Sequence, residues 1–255
     1  MTPLPYRLER TVVISASRET VFRFFTDSGR WASWWGAGST IDARPGGPVR
    51  ILYPGAIEAL GEVVEILSPE RIVFTYGYAS GQPIPPGSSR VTIRLEEDPA
   101  GTRLHLTHEF GEESARDQHV QGWRFQLSVF GNVVANEMHA GAAELVDAWF
   151  AAWHEPDQAK RAEALSGIAA SGVRFRDRFA LLDGLADLNA HIGASLRFMP
   201  GIRLQRKGGV RHCQGTVLAD WVAVGNDGKQ SMSGTSVFQL GASGRIEAVT
   251  GVSNQ

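Results

Sequence analysis

The chain has 255 residues, is 43% hydrophobic and 20% charged, and carries a formal net charge of −2. This length allows one large domain or two ordinary ones, and the composition is that of a globular protein. The charge balance leaves no basic footprint for nucleic acid, and no Lys/Arg-rich run suggests an anionic membrane surface. Cys213 is the single cysteine, which excludes an internal disulfide and a thiolate zinc cluster. The N-terminal MTPLPYRLERTVVIS lacks the apolar core of a signal peptide, and no apolar run reaches the roughly 18–20 residues of a membrane span. A cytoplasmic location is expected.

In chain order, Leu8, Val12 and Ile14 alternate with polar residues, which predicts a half-buried strand. Ser17 is placed to cap a short helix that buries Val21, Phe22 and Phe25. WASWWG follows, with Trp31, Trp34 and Trp35 in five positions, and PGG at 45–47 marks a turn. We expect at least one of Trp34 and Trp35 to be largely buried at a cavity mouth, and Trp31 to be more exposed. VRILY, EALGEVVEI, RIVFTYGY, RVTIRLEE and TRLHLTHEF then read as strands of an antiparallel meander. QPIPPGSS, 82–89, reads as an exposed loop.

The period then changes. Val120, Trp123, Leu127, Phe130 and Val134 recur at spacings of three and four, one apolar stripe on a long helix. Gly122 and Gly131 interrupt it, each at about 1 kcal/mol relative to alanine, for close backbone approach or room for a guest. From residue 137 the order is helix, helix, short strand, helix and then strands. AELVDAWFAAW carries Trp149 on one face, EPD at 155–157 starts the next helix, and GLADLNAHIGASLRF is amphipathic. GIRLQRK, TVLADWVAV, QSMSGTSVFQL and RIEAVTGV read as strands. Both halves read as α+β, with helices against one face of a curved antiparallel sheet.

VFRFFTDSGRWASWWG, RPGGPVRI, GEVVEILSPERIVFTY, SSRVTIRLEE, GTRLHLTHEF and HVQGWRFQLSVF, taken together over residues 6–135, resemble the heat-shock-protein-90 ATPase activator homologue family of the SRPBCC (START/Bet v 1-like) superfamily. That resemblance implies a helix-grip domain over 1–136, a seven-stranded sheet wrapping a long C-terminal helix around a cavity. FAAWHEPDQAKR, VRFRD, DGLADLNAHI, MPGIRL, ADW and GASGRIEAVTGV resemble SnoaL-like proteins of the nuclear transport factor 2-like superfamily. This second resemblance implies a cone-shaped α+β barrel over 137–255, with an apolar pocket and, in many relatives, a homodimer through the outer sheet face.

The resemblance makes Asp177 the sharpest catalytic candidate, since ketosteroid isomerases and polyketide cyclases of this fold carry a carboxylate base at the end of this strand. Such a base needs an apolar pocket that raises its pKa. Here Arg178 stands where the family pattern has proline, and a neighbouring arginine lowers a carboxylate pKa. Enolisation also needs an oxyanion donor, usually a buried tyrosine. All four tyrosines, Tyr6, Tyr53, Tyr76 and Tyr78, lie in the first half. The competing reading of Asp177 is a turn cap before FALLDG. His191 matches the histidine of the family's helix motif, as a pocket-edge polar group or a core histidine.

In the first domain His108 shares a strand face with Leu104, Leu106 and Phe110, so it points inward, and His105 faces out. Tyr76 and Tyr78 share a face with Ile72 and Phe74, which makes their hydroxyls the polar spots of an apolar cavity. The resemblance puts His119 and Trp123 on the cavity side of the long helix. Trp34, Trp35, Trp149 and Trp221 complete the expected pocket walls, each weighed against simple core packing. No metal site or cofactor is expected: His105 and His108 point to opposite strand faces, and phosphate-loop, dinucleotide and nucleophile-turn motifs are absent.

The leading expectation is a binder of a small hydrophobic molecule, with one pocket per domain and no complete catalytic set. The alternative is a metal-free cyclase, isomerase or hydrolase acting through Asp177 and His191. A chaperone-ATPase-activating or other interaction role ranks last, because this sequence shows no counterpart of the co-chaperone's separate N-terminal docking domain.

Overall fold

A computed structural model describes residues 3–254. It divides into two compact units between Ala135 and Asn136. Both are α+β.

The first unit begins with strand β1 (Tyr6–Ile14). Ser17 caps helix α1 (Arg18–Arg23), its side chain accepting from the Thr20 amide at 3.3 Å. Helix α2 (Ser28–Trp35) follows, capped by Asp27, which accepts from the Arg30 amide at 2.8 Å. Strands β2 (Thr40–Ile41), β3 (Pro48–Tyr53), β4 (Ile57–Leu67), β5 (Arg71–Tyr76), β6 (Ser89–Asp98) and β7 (Gly101–Phe110) come next, then the long helix α3 (Glu113–Met138). The sheet order is β1-β7-β6-β5-β4-β3-β2, antiparallel throughout. Each strand after β2 lies beside the one before it, as in a meander, and β1 closes the far edge on β7.

The tryptophans occupy a helix the sequence reading did not assign. Positions 31, 34 and 35 are i, i+3 and i+4 on α2, so all three rings fall on one face. Trp31, expected to be the exposed one, is fully buried, with Trp34 and Trp35 at 3% and 6% exposure. The Trp31 indole N–H donates to the Arg50 carbonyl at 3.3 Å, and its ring meets Trp34 and Phe74 edge to face. Phe24, Phe25 and Phe130 complete this core against Trp34. A buried phenylalanine contributes about 1.5–3 kcal/mol, so this cluster is a main source of the unit's stability. Helix α3 buries Ala115, His119, Trp123, Gln126, Leu127, Phe130 and Val134, the predicted stripe with His119 taking the turn before Trp123.

The second unit starts with α4 (Ala142–Ala152) and α5 (Gln158–Ile168), the latter capped by Asp157, which accepts from the amides of Ala159 and Lys160. Strands β8 (Ala169–Arg176) and β9 (Leu181–Asp183) precede α6 (Leu185–Phe198). Strands β10 (Arg203–Arg206), β11 (Arg211–Cys213), β12 (Thr216–Val224), β13 (Gln230–Leu240) and β14 (Ile246–Ser253) end the chain. The sheet order is β10-β12-β13-β14-β8-β9, with β11 also paired to β12. The expectation of a purely antiparallel sheet is corrected at one place: β14 runs parallel to β8. The intervening α6 and the β12–β13–β14 hairpins supply the long crossover that a parallel pair requires. Trp149, Phe150, Phe238, Leu188 and Ile192 pack between helices and sheet.

Among the described residues, no helix is long and apolar enough to cross a membrane.

Candidate functional site

Each unit holds its own cavity. The first encloses about 400 Å³ and is walled by Trp35, Trp123, Tyr53, Tyr76, Tyr78 and Phe125, with His119 and Gly122 on the α3 side. Strand alternation explains the tyrosines: Val49, Ile51 and Tyr53 share one face of β3, and Phe74 and Tyr76 share one face of β5. The hydroxyls of Tyr53 and Tyr76 are hydrogen-bonded at 2.9 Å. Burial pushes both phenols far above their ordinary pKa; at Tyr53 the hydrogen bond with Tyr76 opposes this, while at Tyr76 the neighbouring Tyr53 and Tyr78 add to it, and both stay protonated.

The histidines of this unit have fixed roles. An indole N–H only donates, and Trp123 Nε1 lies 2.9 Å from His108 Nδ1, so Nδ1 is the acceptor. His108 therefore carries its proton on Nε2 and donates to Ser89 Oγ at 2.8 Å; Ser89 in turn donates to the Tyr76 carbonyl at 2.8 Å. Burial, reinforced by the nearby His119, holds His108 well below the ordinary imidazole pKa. His119 donates from Nδ1 to the Ala115 carbonyl at 2.7 Å. Its burial lowers its pKa, with that hydrogen bond opposing, so the ring is neutral near pH 7. The remaining nitrogen, His119 Nε2, is buried without a partner in the protein, and so is the indole N–H of Trp35.

The sequence candidates separate here. Trp35, Tyr76, Tyr78, His119 and Trp123 come together on the cavity. Trp34 and His108 do not line it, which corrects their expected role as pocket walls. Trp34 lies on the core side of α2, its indole donating to the Phe24 carbonyl at 3.3 Å, and its own carbonyl accepts from the Gln126 amide. His108 is fully buried behind Trp123 and orients it. Tyr53 was missed as a site residue, although the alternation in VRILY already gives it the inward face. An added Cβ at Gly122 would meet nothing within 4 Å, so this helical glycine leaves room at the cavity and serves no close backbone approach.

The second cavity encloses about 460 Å³. Trp149, Trp153, Phe175 and Trp221 wall it, Asp177 and His191 supply polar groups, and Phe179, Phe198 and Met199 also line it. On β8 the arginines Arg174 and Arg176 are exposed while Val173 and Phe175 are buried, so Asp177 continues the inward face beyond the strand end. Asp177 also closes a turn: its Oδ1 accepts from the Phe179 amide at 2.7 Å, and its own amide donates to the Ala180 carbonyl at 3.0 Å. His191 on α6 meets the rings of Trp153 and Phe175, with centroids 5.9 and 6.1 Å away. The Trp153 indole N–H is buried without a protein partner. Trp153 was missed as a site residue; it sits one helical turn from Trp149 at i+4, a spacing visible in AWFAAW. Among the described residues, no group of three or more histidine, cysteine or acidic side chains is placed to hold a metal ion.

A sheet and a long helix flanking one aromatic cavity, and a helix-covered sheet enclosing another, define a two-domain protein of cavity-forming α+β folds. Residues 15–135 match the family described as activator of Hsp90 ATPase homolog 1-like protein. The match spans the first unit, and the second unit is an α+β unit built on its own sheet. Among solved structures, a candidate isomerase of the SnoaL-like family from Agrobacterium tumefaciens strain C58 is 25% identical, covering 47% of this chain and 99% of that one, with a TM-score of 0.43. The Aha1 dimer from Colwellia psychrerythraea is 15% identical over 48% of this chain and 90% of that one, with a TM-score of 0.42. CalU16 from Micromonospora echinospora is 26% identical over 52% and 76%, with a TM-score of 0.40. No curated protein matches the chain.

Proposed function

We propose that this protein binds small apolar molecules in two separate cavities, one in each domain. The observation that carries the proposal is that each unit independently surrounds a cavity, of about 400 and 460 Å³, with aromatic rings and only a few polar atoms. Small-molecule sites span roughly 300–1,000 Å³ and have this make-up. A thermal-shift screen of apolar compounds tests it, with Gly122→Phe filling the first cavity and Ala194→Phe, on α6, filling the second. Stabilisation by a ligand class that one variant abolishes is the expected result. Stabilisation that survives both variants, or that no compound produces, would sink the proposal.

One observation favours a second reading for the second domain: Asp177 and His191 border the same apolar cavity as the unpartnered Trp153 N–H. A carboxylate base, a histidine and an N–H donor are components of proton transfer beside a carbonyl. Under this reading the domain is a metal-free isomerase, cyclase or hydrolase. A homodimer through the second domain belongs to the same proposal, since Phe179 and Phe198 are 73% and 85% exposed beside the cavity. A monomeric mass by sedimentation at micromolar concentration would remove it. The exposed free thiol of Cys213 suits the reducing cytoplasm.

A further inference from the structure

We infer that the first-domain cavity selects a neutral aromatic molecule that carries both a hydroxyl and a carbonyl group. The inference rests on the binding reading above and specifies its ligand.

Two buried polar atoms on residues lining this cavity lack a partner in the protein, and they are of opposite sense. His119 donates from Nδ1 to the Ala115 carbonyl, so its neutral ring offers Nε2 as a bare acceptor. Trp35 offers only an N–H donor. His119 and Trp35 are 8% and 6% exposed, so bulk water does not serve these atoms. Native interiors keep few such groups, and an unsatisfied acceptor and an unsatisfied donor on the walls of one cavity suit a guest that supplies both. A hydroxyl fits the first and a carbonyl oxygen the second.

Charge and shape narrow the class. The lining contains no aspartate, glutamate, lysine or arginine, so an ionic guest would enter without a counter-charge. The Tyr53 and Tyr76 hydroxyls bond to one another and are held protonated, so they add no charge either. Indole and phenol rings make most of the wall, and Gly122 leaves its side of the helix open. Such walls favour a flat ring system, stacked or edge-on. Among the described residues, the other buried side-chain atoms without partners, on Arg10, Arg18, Arg71 and Trp153, belong to residues outside this cavity.

The test uses the full chain and four kinds of probe: naphthalene, 2-naphthol, 2-acetylnaphthalene and the isomeric acetylnaphthols. Binding is followed by calorimetry, and the part lost in Gly122→Phe is assigned to this cavity. At least one acetylnaphthol is expected to bind about tenfold or more tighter than naphthalene, one well-made hydrogen bond to an otherwise unpaired buried group sufficing for that factor. His119→Leu should erase the advantage given by the hydroxyl and Trp35→Phe the advantage given by the carbonyl. Naphthalene itself, still bound, reports that each variant keeps its cavity. If wild-type protein binds all four kinds of probe equally, or if His119→Leu preserves the hydroxyl advantage, the selectivity is overturned while the binding reading stands. If none of the probes binds, the binding reading for this domain falls with it.

Discussion

Trp123 on α3 donates its indole N–H to His108 Nδ1 on β7 across 2.9 Å. This one bond joins helix to sheet, fixes the imidazole tautomer and holds a cavity-wall ring in place. Protonating His108 would put a second donor against the Trp123 N–H, at a fully buried position. Burial already holds its pKa well below 6.5. The folded ring thus stays neutral at a pH where the unfolded ring, near 6.5, takes up a proton. Stability from this group is complete above pH 6.5 and declines as pH falls below it, by up to about 1.4 kcal/mol per pH unit. In NMR spectra the His108 ring should keep the Nε2–H tautomer and not titrate between pH 8 and 5.5, while the denaturation midpoint falls. A ring that titrates near 6.5 in the folded protein would refute this.

Gly36 ends α2 directly after Trp35, with φ at +145° and its amide donating to the Ala32 carbonyl at 3.0 Å. A Cβ there would stand 2.3 Å from the Leu52 carbonyl oxygen. Gly36→Ala therefore strains the backbone and pushes α2 off β3. A loss of about 2 kcal/mol is expected in chemical denaturation, together with weaker binding in the first cavity because Trp35 moves. A change below about 0.5 kcal/mol would mean that the close approach relaxes at no cost.

Arg161 on α5 is 2% exposed, yet its three guanidinium nitrogens donate to neutral oxygens: Asn189 Oδ1 at 2.6 Å, the Glu155 carbonyl at 2.6 Å and the Asn189 carbonyl at 3.2 Å. Its fork ties α5 and the loop before it to α6. Lysine cannot reproduce three divergent donors, and methionine provides none. Arg161→Met should cost about 3 kcal/mol and Arg161→Lys somewhat less, read as a shift in the unfolding of the second domain. Equal stability of Arg161→Met and wild type would show that the carbonyls find other partners.

Period and punctuation carried most of the fold. The alternation in β5 to β7, the Ser17 cap and the α3 stripe are local patterns, set by how side chains project from strand and helix. The parallel pairing of β14 with β8 was not legible, because nothing local records which strand a distant strand meets. The Trp31–Trp34–Trp35 spacing was itself helical, but aromatic density drew attention from its period, and Trp31 was assigned to the surface. The site was legible to the level of faces: alternation put Tyr76, Tyr78 and His108 inward. It could not separate the residues that touch open space from those one layer behind, which is how Trp34 and His108 differ from Trp35 and His119. That distinction depends on void left by packing, a property of many residues together.

Asp177 decides between the two readings of the second domain, because its two roles respond differently to one atom. As a turn residue it needs an oxygen acceptor for the Phe179 amide, now 2.7 Å away. Asparagine supplies that oxygen, whereas alanine does not. Asp177→Asn should therefore keep stability within about 0.5 kcal/mol of wild type, and Asp177→Ala should lose about 1 kcal/mol. As a base it needs a carboxylate, and Asp177→Asn would lower turnover of any substrate by about a hundredfold or more. Under the binding reading, the affinity of the second cavity for neutral apolar molecules is unchanged in Asp177→Asn, because the amide keeps the volume and the turn. Measuring melting temperature, ligand affinity and turnover on the same two variants separates these roles: intact stability and affinity with lost turnover would establish an enzyme, and the loss of affinity in Asp177→Asn would contradict the binder.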